Sequence, residues 1–328
     1  MKAIVYHQYG SPDVLRYEET QKPIPGDNDV LIKVCAASVN PLDWHFVRGS
    51  PYGIRMMTGL RKPKDARLGM DVAGRVEAVG RNVKEFKAGD EVFGGCKGAF
   101  AEYACSAESA VARKPANVTF EQAGCVAVAA FTALQGLRDT AHIQAHIQPG
   151  QRVLINGAAG GVGTFAVQIG NWLGAEVTGV CSTRNVELVG SLGAHHVSDY
   201  TREDFTQSQE RYDVIFDCIG NHSLRACRRV LNQRGVYVMV GAPSGRWVAP
   251  MDRAVKARAL SWFVSQELSS MMAKTNKDDL NLMAELMHSG EVTPVIDRRY
   301  GLSEVPEAIR YLEEGHARGK VVIAVEPA

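Results

Sequence analysis

No stretch of this 328-residue chain is apolar for long enough to cross a bilayer. The uncharged run Ala123 to Leu137 is interrupted by Gly124, Thr132 and Gln135, short of the ~20 apolar residues a span requires. Net charge is lacking as well: 37 Lys+Arg stand against 36 Asp+Glu. With no overall field to draw polyanions, neither nucleic acid nor an acidic membrane is expected as a partner. The seven cysteines (Cys35, Cys96, Cys105, Cys125, Cys181, Cys218, Cys227) are an odd set without a C-x-x-C pair. That argues against a disulfide framework and for reduced thiols in a cytoplasmic protein. Met1–His7 turns polar too soon for a secretory apolar core, so no signal peptide is expected. His142 and His146, four apart, lack a third ligand nearby and read as a solvated helix face.

What is there is an ordinary globular composition, 45% hydrophobic and 22% charged, long enough for two domains. The first third carries short β-like runs at Ala3–Tyr6, Val30–Ala37, Ala73–Val79, Glu91–Phe93 and Phe100–Cys105, separated by turn material. Asn40–Gly69 has no clean period and reads as a long ordered loop of the kind that carries function. Thr119-Phe120-Glu121-Gln122 has the spacing of a capped helix start. Beyond it, strands at Val153–Asn156, Val177–Cys181, Val197–Ser198, Val214–Phe216, Val236–Val240 and Leu260–Val264 alternate with helix-length stretches such as Val162–Leu173. Near-continuous apolar strands in such alternation predict a parallel sheet covered on both faces. The tail returns to strand, helix and strand, and its last strand, Lys320–Val325, is free to pair with the first domain.

The strongest motif is Gly157-Ala158-Ala159-Gly160-Gly161-Val162-Gly163, which follows the buried strand Val153–Asn156 and opens a helix. Glycines let the backbone turn tightly and approach a pyrophosphate, whose charge the helix N-terminus favours. The strict pattern is A-x-G-x-x-G, and its place between strand and helix in a β/α region points to a dinucleotide. The next strand ends in Ser182-Thr183-Arg184-Asn185, with no acid until Glu187. An NAD site usually puts a carboxylate there for the ribose 2′-hydroxyl; a guanidinium and two hydroxyls suit the 2′-phosphate of NADPH instead. Cys218, after a buried strand, reads as local structure or as a wall of the cofactor crevice.

Together, Ala36–Asp43, Leu68–Gly74, Ala129–Leu134 and Gly157–Gly163, in this order, resemble the zinc-independent quinone oxidoreductase branch of the medium-chain dehydrogenase/reductase superfamily over essentially the whole chain. The resemblance implies an α/β architecture: a GroES-like β-rich catalytic domain, residues 1–122 completed by 276–328, plus a Rossmann doubly wound parallel-sheet domain, residues 123–275. The active site is then expected in the cleft between them. Where zinc-dependent relatives carry a cysteine and a Gly-His-Glu, this chain has Asn40 and Gly69-Met70-Asp71. Neither amide nor thioether suits zinc, so no metal site is expected.

By the same resemblance Asn40 binds the substrate oxygen or the nicotinamide ribose. Tyr52 is a substrate-site donor or an aromatic lid, and His45 a proton-transfer group or a capping imidazole. Thr132 and Val240-Gly241-Ala242 are expected at the nicotinamide, and Tyr200 near the adenosine. Arg318-Gly319-Lys320 reads as a cationic turn, either reaching the cofactor or solvated. Without a metal to polarise the substrate, hydride needs an electron-poor acceptor, a quinone or conjugated carbonyl. An NADPH-dependent reductase is therefore expected, as a homodimer joined near Leu260–Val264. The alternatives are an NADPH-binding regulatory protein with little turnover, with Arg61–Lys64 as its surface, and a zinc alcohol dehydrogenase, disfavoured by its missing ligands.

Overall fold

A computed structural model describes residues 1–142, 150–241 and 264–325. His146, Ala242 and most of the expected strand Leu260–Val264 lie outside the described residues. In chain order the strands are β1 (Lys2–Val5), β2 (Arg16–Glu19), β3 (Asp29–Val39), β4 (Asp71–Val79), β5 (Glu91–Gly95), β6 (Tyr103–Ala107) and β7 (Val111–Arg113). There follow β8 (Arg152–Asn156), β9 (Glu176–Cys181), β10 (His196–Asp199), β11 (Tyr212–Asp217), β12 (Leu231–Met239), β13 (Glu267–Ser270), β14 (Ile296–Gly301) and β15 (Lys320–Ala324). The chain divides into two compact units, Met1–Ala129 with Lys274–Ala328, and Ala130–Ala273. The first passes the expected boundary at 122 because the short helix Phe120–Ala123 packs on β3, β4 and β15. Its capping box is the one legible in the sequence: Thr119 Oγ1 accepts from the Gln122 amide, and Gln122 Oε1 from the Thr119 amide.

In the first unit a sheet runs β14-β15-β3-β4-β5-β7, with β6 also on β3. β3 is buried along nearly its whole length, because it has neighbours on both edges and apolar layers on both faces. Its core includes Ile32, Val34, Val72, Phe100, Val321 and Ile309. β15 closes this sheet antiparallel to β3, so the returning tail completes the N-terminal unit.

The segment expected as a loop, Asn40–Gly69, holds two helices, Pro41–Arg48 and Ile54–Thr58. The first begins where Asn40 leaves β3 with extended backbone, Pro41 supplies the N1 position, and the Asp43 carboxylate accepts the Asn40 amide at 2.8 Å. It ends at Gly49, whose φ of 56° is the left-handed cap. A helix of eight residues is too short to show a clear period, which hid it in the sequence.

The second unit is a parallel sheet in the order β10-β9-β8-β11-β12-β13. This is the doubly wound dinucleotide-binding arrangement, with its switch point between β8 and β11. Helix Gly161–Trp172 follows β8 closely enough that a Cβ on Gly163 would stand 2.1 Å from the Gly157 carbonyl oxygen. Among the described residues no helix is long and apolar enough to cross a membrane.

These contacts give two glycine substitutions opposite signs. Gly163→Ala forces two backbone segments apart and is expected to cost at least ~1–3 kcal/mol. Gly190→Ala, in helix Val186–Ser191 with nothing within 4 Å of its added Cβ, is expected to stabilise by ~0.5–1 kcal/mol. Urea unfolding midpoints of the two variants check both.

Candidate active site

Three strands of the first unit bring together residues far apart in sequence. β15 and β4 pair with β3 on opposite edges, with Val321 opposite Val39 and Asp71 opposite Ser38. Lys320, Asn40 and Asp71 therefore meet at one end of the sheet, all buried. Lys320 Nζ donates to Asn40 Oδ1 at 2.6 Å and lies 3.2 Å from Asp71 Oδ2. Asp71 Oδ2 also accepts from Asn40 Nδ2 at 2.9 Å and Ser38 Oγ at 2.5 Å, and Asp71 Oδ1 takes the Val128 amide at 2.8 Å. Asn40 Nδ2 makes a second, longer bond to the Ser38 carbonyl at 3.3 Å. Both amide hydrogens of Asn40 are thus directed inward, and its oxygen keeps one lone pair beyond the bond from Lys320.

Lys320 is not part of a cationic surface turn: it is the first residue of β15, with its ammonium inside the cluster. The Arg318 amide donates to Asp297, and Gly319, with φ of 109°, presses on the Val295 carbonyl. Asp71 is the member that sequence reasoning passed over. It stood within a quoted motif, but only strand register shows that it faces Asn40 and Lys320.

Asp43, beside this cluster, accepts from the amides of Asn40 and Gly69 and so ties helix Pro41–Arg48 to the chain entering β4. Burial pushes its carboxyl up to about 7, and the neighbouring Asp71 charge adds to the rise, against the lowering hydrogen bonds and Lys320. His45 and Tyr52 belong to a different network. His45 Nδ1 lies 2.7 Å from the Ser50 carbonyl, which can only accept, so Nδ1 carries the hydrogen. Burial lowers the imidazole pKa and favours the neutral ring, stacked on Trp44 at 3.6 Å. In that form Nε2 has no proton to give. Tyr52 is 40% exposed, its ring 4.7 Å from the Arg55 guanidinium, which also packs on Tyr9 and donates to the Gly49 carbonyl.

In the second unit the glycine turn follows β8. Gly157 has φ of 87°, and the amides of Gly157 and Ala158 both donate to the Val180 carbonyl, which removes them as phosphate donors. The Gly160 amide returns to the Gly157 carbonyl. The first bond of helix Gly161–Trp172 runs from Thr164 to Gly160, so the amides of Gly161, Val162 and Gly163 precede it in the first turn. Ala159 is buried in the turn and Thr132 lies in helix Ala129–Gln135. Across the switch point Asp217 accepts from Asn156, Tyr237 and the amides of Ile219 and Gly220. Val240 and Gly241 both donate to the Asp217 carbonyl, and a Cβ on Gly241 would meet the Cys218 carbonyl at 1.8 Å. Burial raises the Cys218 thiol pKa well above its ordinary value, which disfavours the thiolate. At the tip of β9, Asn185 Nδ2 donates to Ser182 Oγ, Thr183 donates to Asp199, and Tyr200 is 56% exposed. The buried Asn185 Oδ1 has no hydrogen-bond partner in the structure.

This turn and strand order fit a dinucleotide. A zinc ion fits the first unit poorly: Asn40 already accepts from an ammonium, and that positive charge sits where a cation would have to come. Among the described residues no three His, Cys, Asp or Glu side chains converge as a metal-binding set.

Comparison with known proteins agrees with this architecture. The alcohol dehydrogenase GroES-like domain matches residues 26–116, and the zinc-binding dehydrogenase family matches residues 192–323. The mitochondrial NAD(P)H oxidoreductase RTN4IP1 of Mus musculus is 35% identical, over 99% of this chain and 89% of its own length. The chloroplastic NADPH-dependent alkenal/one oxidoreductase of Arabidopsis thaliana is 33% identical, over 98% and 79%. The solved quinone oxidoreductase from Coxiella burnetii superposes with a TM-score of 0.86 at 30% identity, covering 99% of both chains.

Two outcomes follow from the cluster and its neighbour. Lys320→Met leaves the Asp71 charge buried without its counter-ion and is expected to cost ~3–5 kcal/mol, much of it recovered in Lys320→Met/Asp71→Asn; urea unfolding of the three proteins decides. Asp43 has a folded pKa of about 7 against a reference of 3.8, so the folded chain holds a proton that the unfolded chain has shed between them. Its contribution to stability is full below that window and falls as pH rises to 7. The stability difference between wild type and Asp43→Asn, followed by urea midpoints from pH 5 to 8, is expected to move against the wild type.

Proposed function

The chain belongs to the medium-chain dehydrogenase/reductase superfamily, in its quinone oxidoreductase-like branch, and from that premise we propose a zinc-independent, NADPH-dependent reductase of quinones or α,β-unsaturated carbonyls. That it is an oxidoreductase with a nicotinamide cofactor follows from the family. The observation that carries the finer reading is the ammonium of Lys320 hydrogen-bonded to Asn40, the position where the family resemblance puts a cysteine in zinc-dependent members.

A bound reduced nicotinamide supplies hydride. The residues here supply orientation and hydrogen bonds. Asn40, with both amide hydrogens committed and one oxygen lone pair remaining, suits accepting from a ribose hydroxyl better than donating to a substrate oxygen. Lys320 has one of its three hydrogens outside the two bonds described, and Tyr52 carries its hydroxyl on an exposed segment; both are donor types that stabilise an enolate or hydroquinone oxygen. No residue of the cluster is a strong base or Lewis acid for a simple alcohol, which favours acceptors already electron-poor. The relative acting on alkenals and enones and the quinone oxidoreductase neighbour support this substrate class.

Arg184 and Ser182, both in the segment that follows β9, support NADPH over NADH. Seven free thiols support a reducing compartment such as the cytoplasm, although the two relatives above are mitochondrial and chloroplastic by name. A homodimer completes the reading, on family resemblance.

The test is oxidation of NADPH and NADH with quinones, enones, aldehydes and alcohols, with and without chelator. Turnover of quinones or enones, indifferent to chelator and faster with NADPH, is expected. Activity lost to chelator and restored by zinc would overturn it, and binding without oxidation of any acceptor would favour a regulatory role. Arg184→Ala is expected to raise the NADPH KM about tenfold, and the NADH KM much less.

A further inference from the structure

A carboxylate does stand at the ribose end of the cofactor site, supplied by a different strand from the one that usually carries it. β10 pairs parallel to β9 with Asp199 opposite Cys181, so Asp199 ends level with the tip that carries Ser182, Thr183 and Arg184. Thr183 Oγ1 donates to Asp199 Oδ2 at 2.6 Å, and the Thr201 hydroxyl and amide donate to Asp199 Oδ1 at 2.7 and 2.9 Å. The two hydroxyls also lie 2.8 Å from each other, so both of their hydrogens are held within the cluster of carboxylate and hydroxyls. Of the two hydroxyls expected to donate to a 2′-phosphate, only Ser182, which accepts from Asn185, keeps its hydrogen for an outside acceptor.

We propose that Asp199 is a specificity-determining residue that restrains the preference for NADPH over NADH. This rests on the reading of the turn and strand tips as a nicotinamide dinucleotide site. The argument is electrostatic. A 2′-phosphate carries about two negative charges, and a carboxylate one strand away opposes it while tying up a donor that would otherwise serve it. A ribose 2′-hydroxyl, by contrast, is neutral and finds in the same carboxylate an acceptor. Arg184, and Arg202 in the turn after β10, act in the opposite direction, so the balance is set by neighbouring charges of both signs. The Thr183 and Thr201 hydrogen bonds hold the Asp199 carboxyl below its ordinary range, so the charge is present at neutral pH.

The experiment measures Kd for NADPH and NADH by coenzyme fluorescence, at low and high salt, for wild type, Asp199→Asn and Thr201→Val. Asparagine keeps an oxygen for the Thr201 amide and removes the charge, whereas Thr201→Val weakens the turn and leaves the charge. Asp199→Asn is expected to shift the NADPH:NADH affinity ratio toward NADPH by about tenfold at low salt, and by less at high salt. Thr201→Val is expected to leave the ratio within twofold. An unchanged ratio in Asp199→Asn, a salt-independent shift, or an equal shift in Thr201→Val would overturn the proposal while the cofactor reading stands. Failure of the wild-type protein to bind either coenzyme would instead remove the cofactor reading, and this proposal with it.

Discussion

Asp71 carries a charge with no access to water, and the first unit's candidate site is organised by the way that charge is met. A lone buried carboxylate is not tolerable; it must find a cation and enough donors for its lone pairs. Here the cation comes from the far end of the chain, on β15, and the donors come from Ser38, Asn40 and the Val128 amide. The requirement explains why the tail returns to the N-terminal sheet at this register: a shift of one residue would turn Lys320 to the other face and leave Asp71 unneutralised. It also fixes the Asn40 amide, whose hydrogens face the carboxylate and whose oxygen faces the ammonium.

The second unit is built around a different feature, a bare-backbone turn that on the proposed reading holds a polyanion. One of its aspartates, Asp217, shapes the loops around that backbone. Asp217 gathers the ends of β8, β11 and β12 around one buried carboxylate, so that Gly241 and Cys218 touch. Gly157 and Ala158 are tied to β9 through Val180, which leaves the first turn of helix Gly161–Trp172 as the donor surface. Asp71 in one unit and Asp217 in the other are thus structural anchors.

Much of this was legible in the residues themselves. The strand before the glycine turn, the helix after it and the capped helix at Thr119 appear where period and capping chemistry put them. The helix Pro41–Arg48 was not legible, because its eight residues cover only about two turns and its start is set by the Asp43 side chain. The burial of the Lys320 ammonium was not legible, because a lysine between glycine and an apolar strand looks the same whether its ammonium meets water or a buried carboxylate. Asp199 stands 14 residues beyond Asn185 in the chain, and only the pairing of β10 with β9 brings it level with the tip of that strand.

The sequence by itself determined the kinds of element, the order in which a β-rich unit and a β/α unit follow one another, and the bare-backbone turn; these rest on local period and on glycine, which neighbours in the chain suffice to express. Only the tertiary structure decided which charges face one another. Lys320 and Asp71 are 249 residues apart, and Thr183 and Asp199 are joined across two parallel strands. Electrostatic energy depends on separation in space and on the surrounding dielectric, and neither quantity exists until the sheet has set its register.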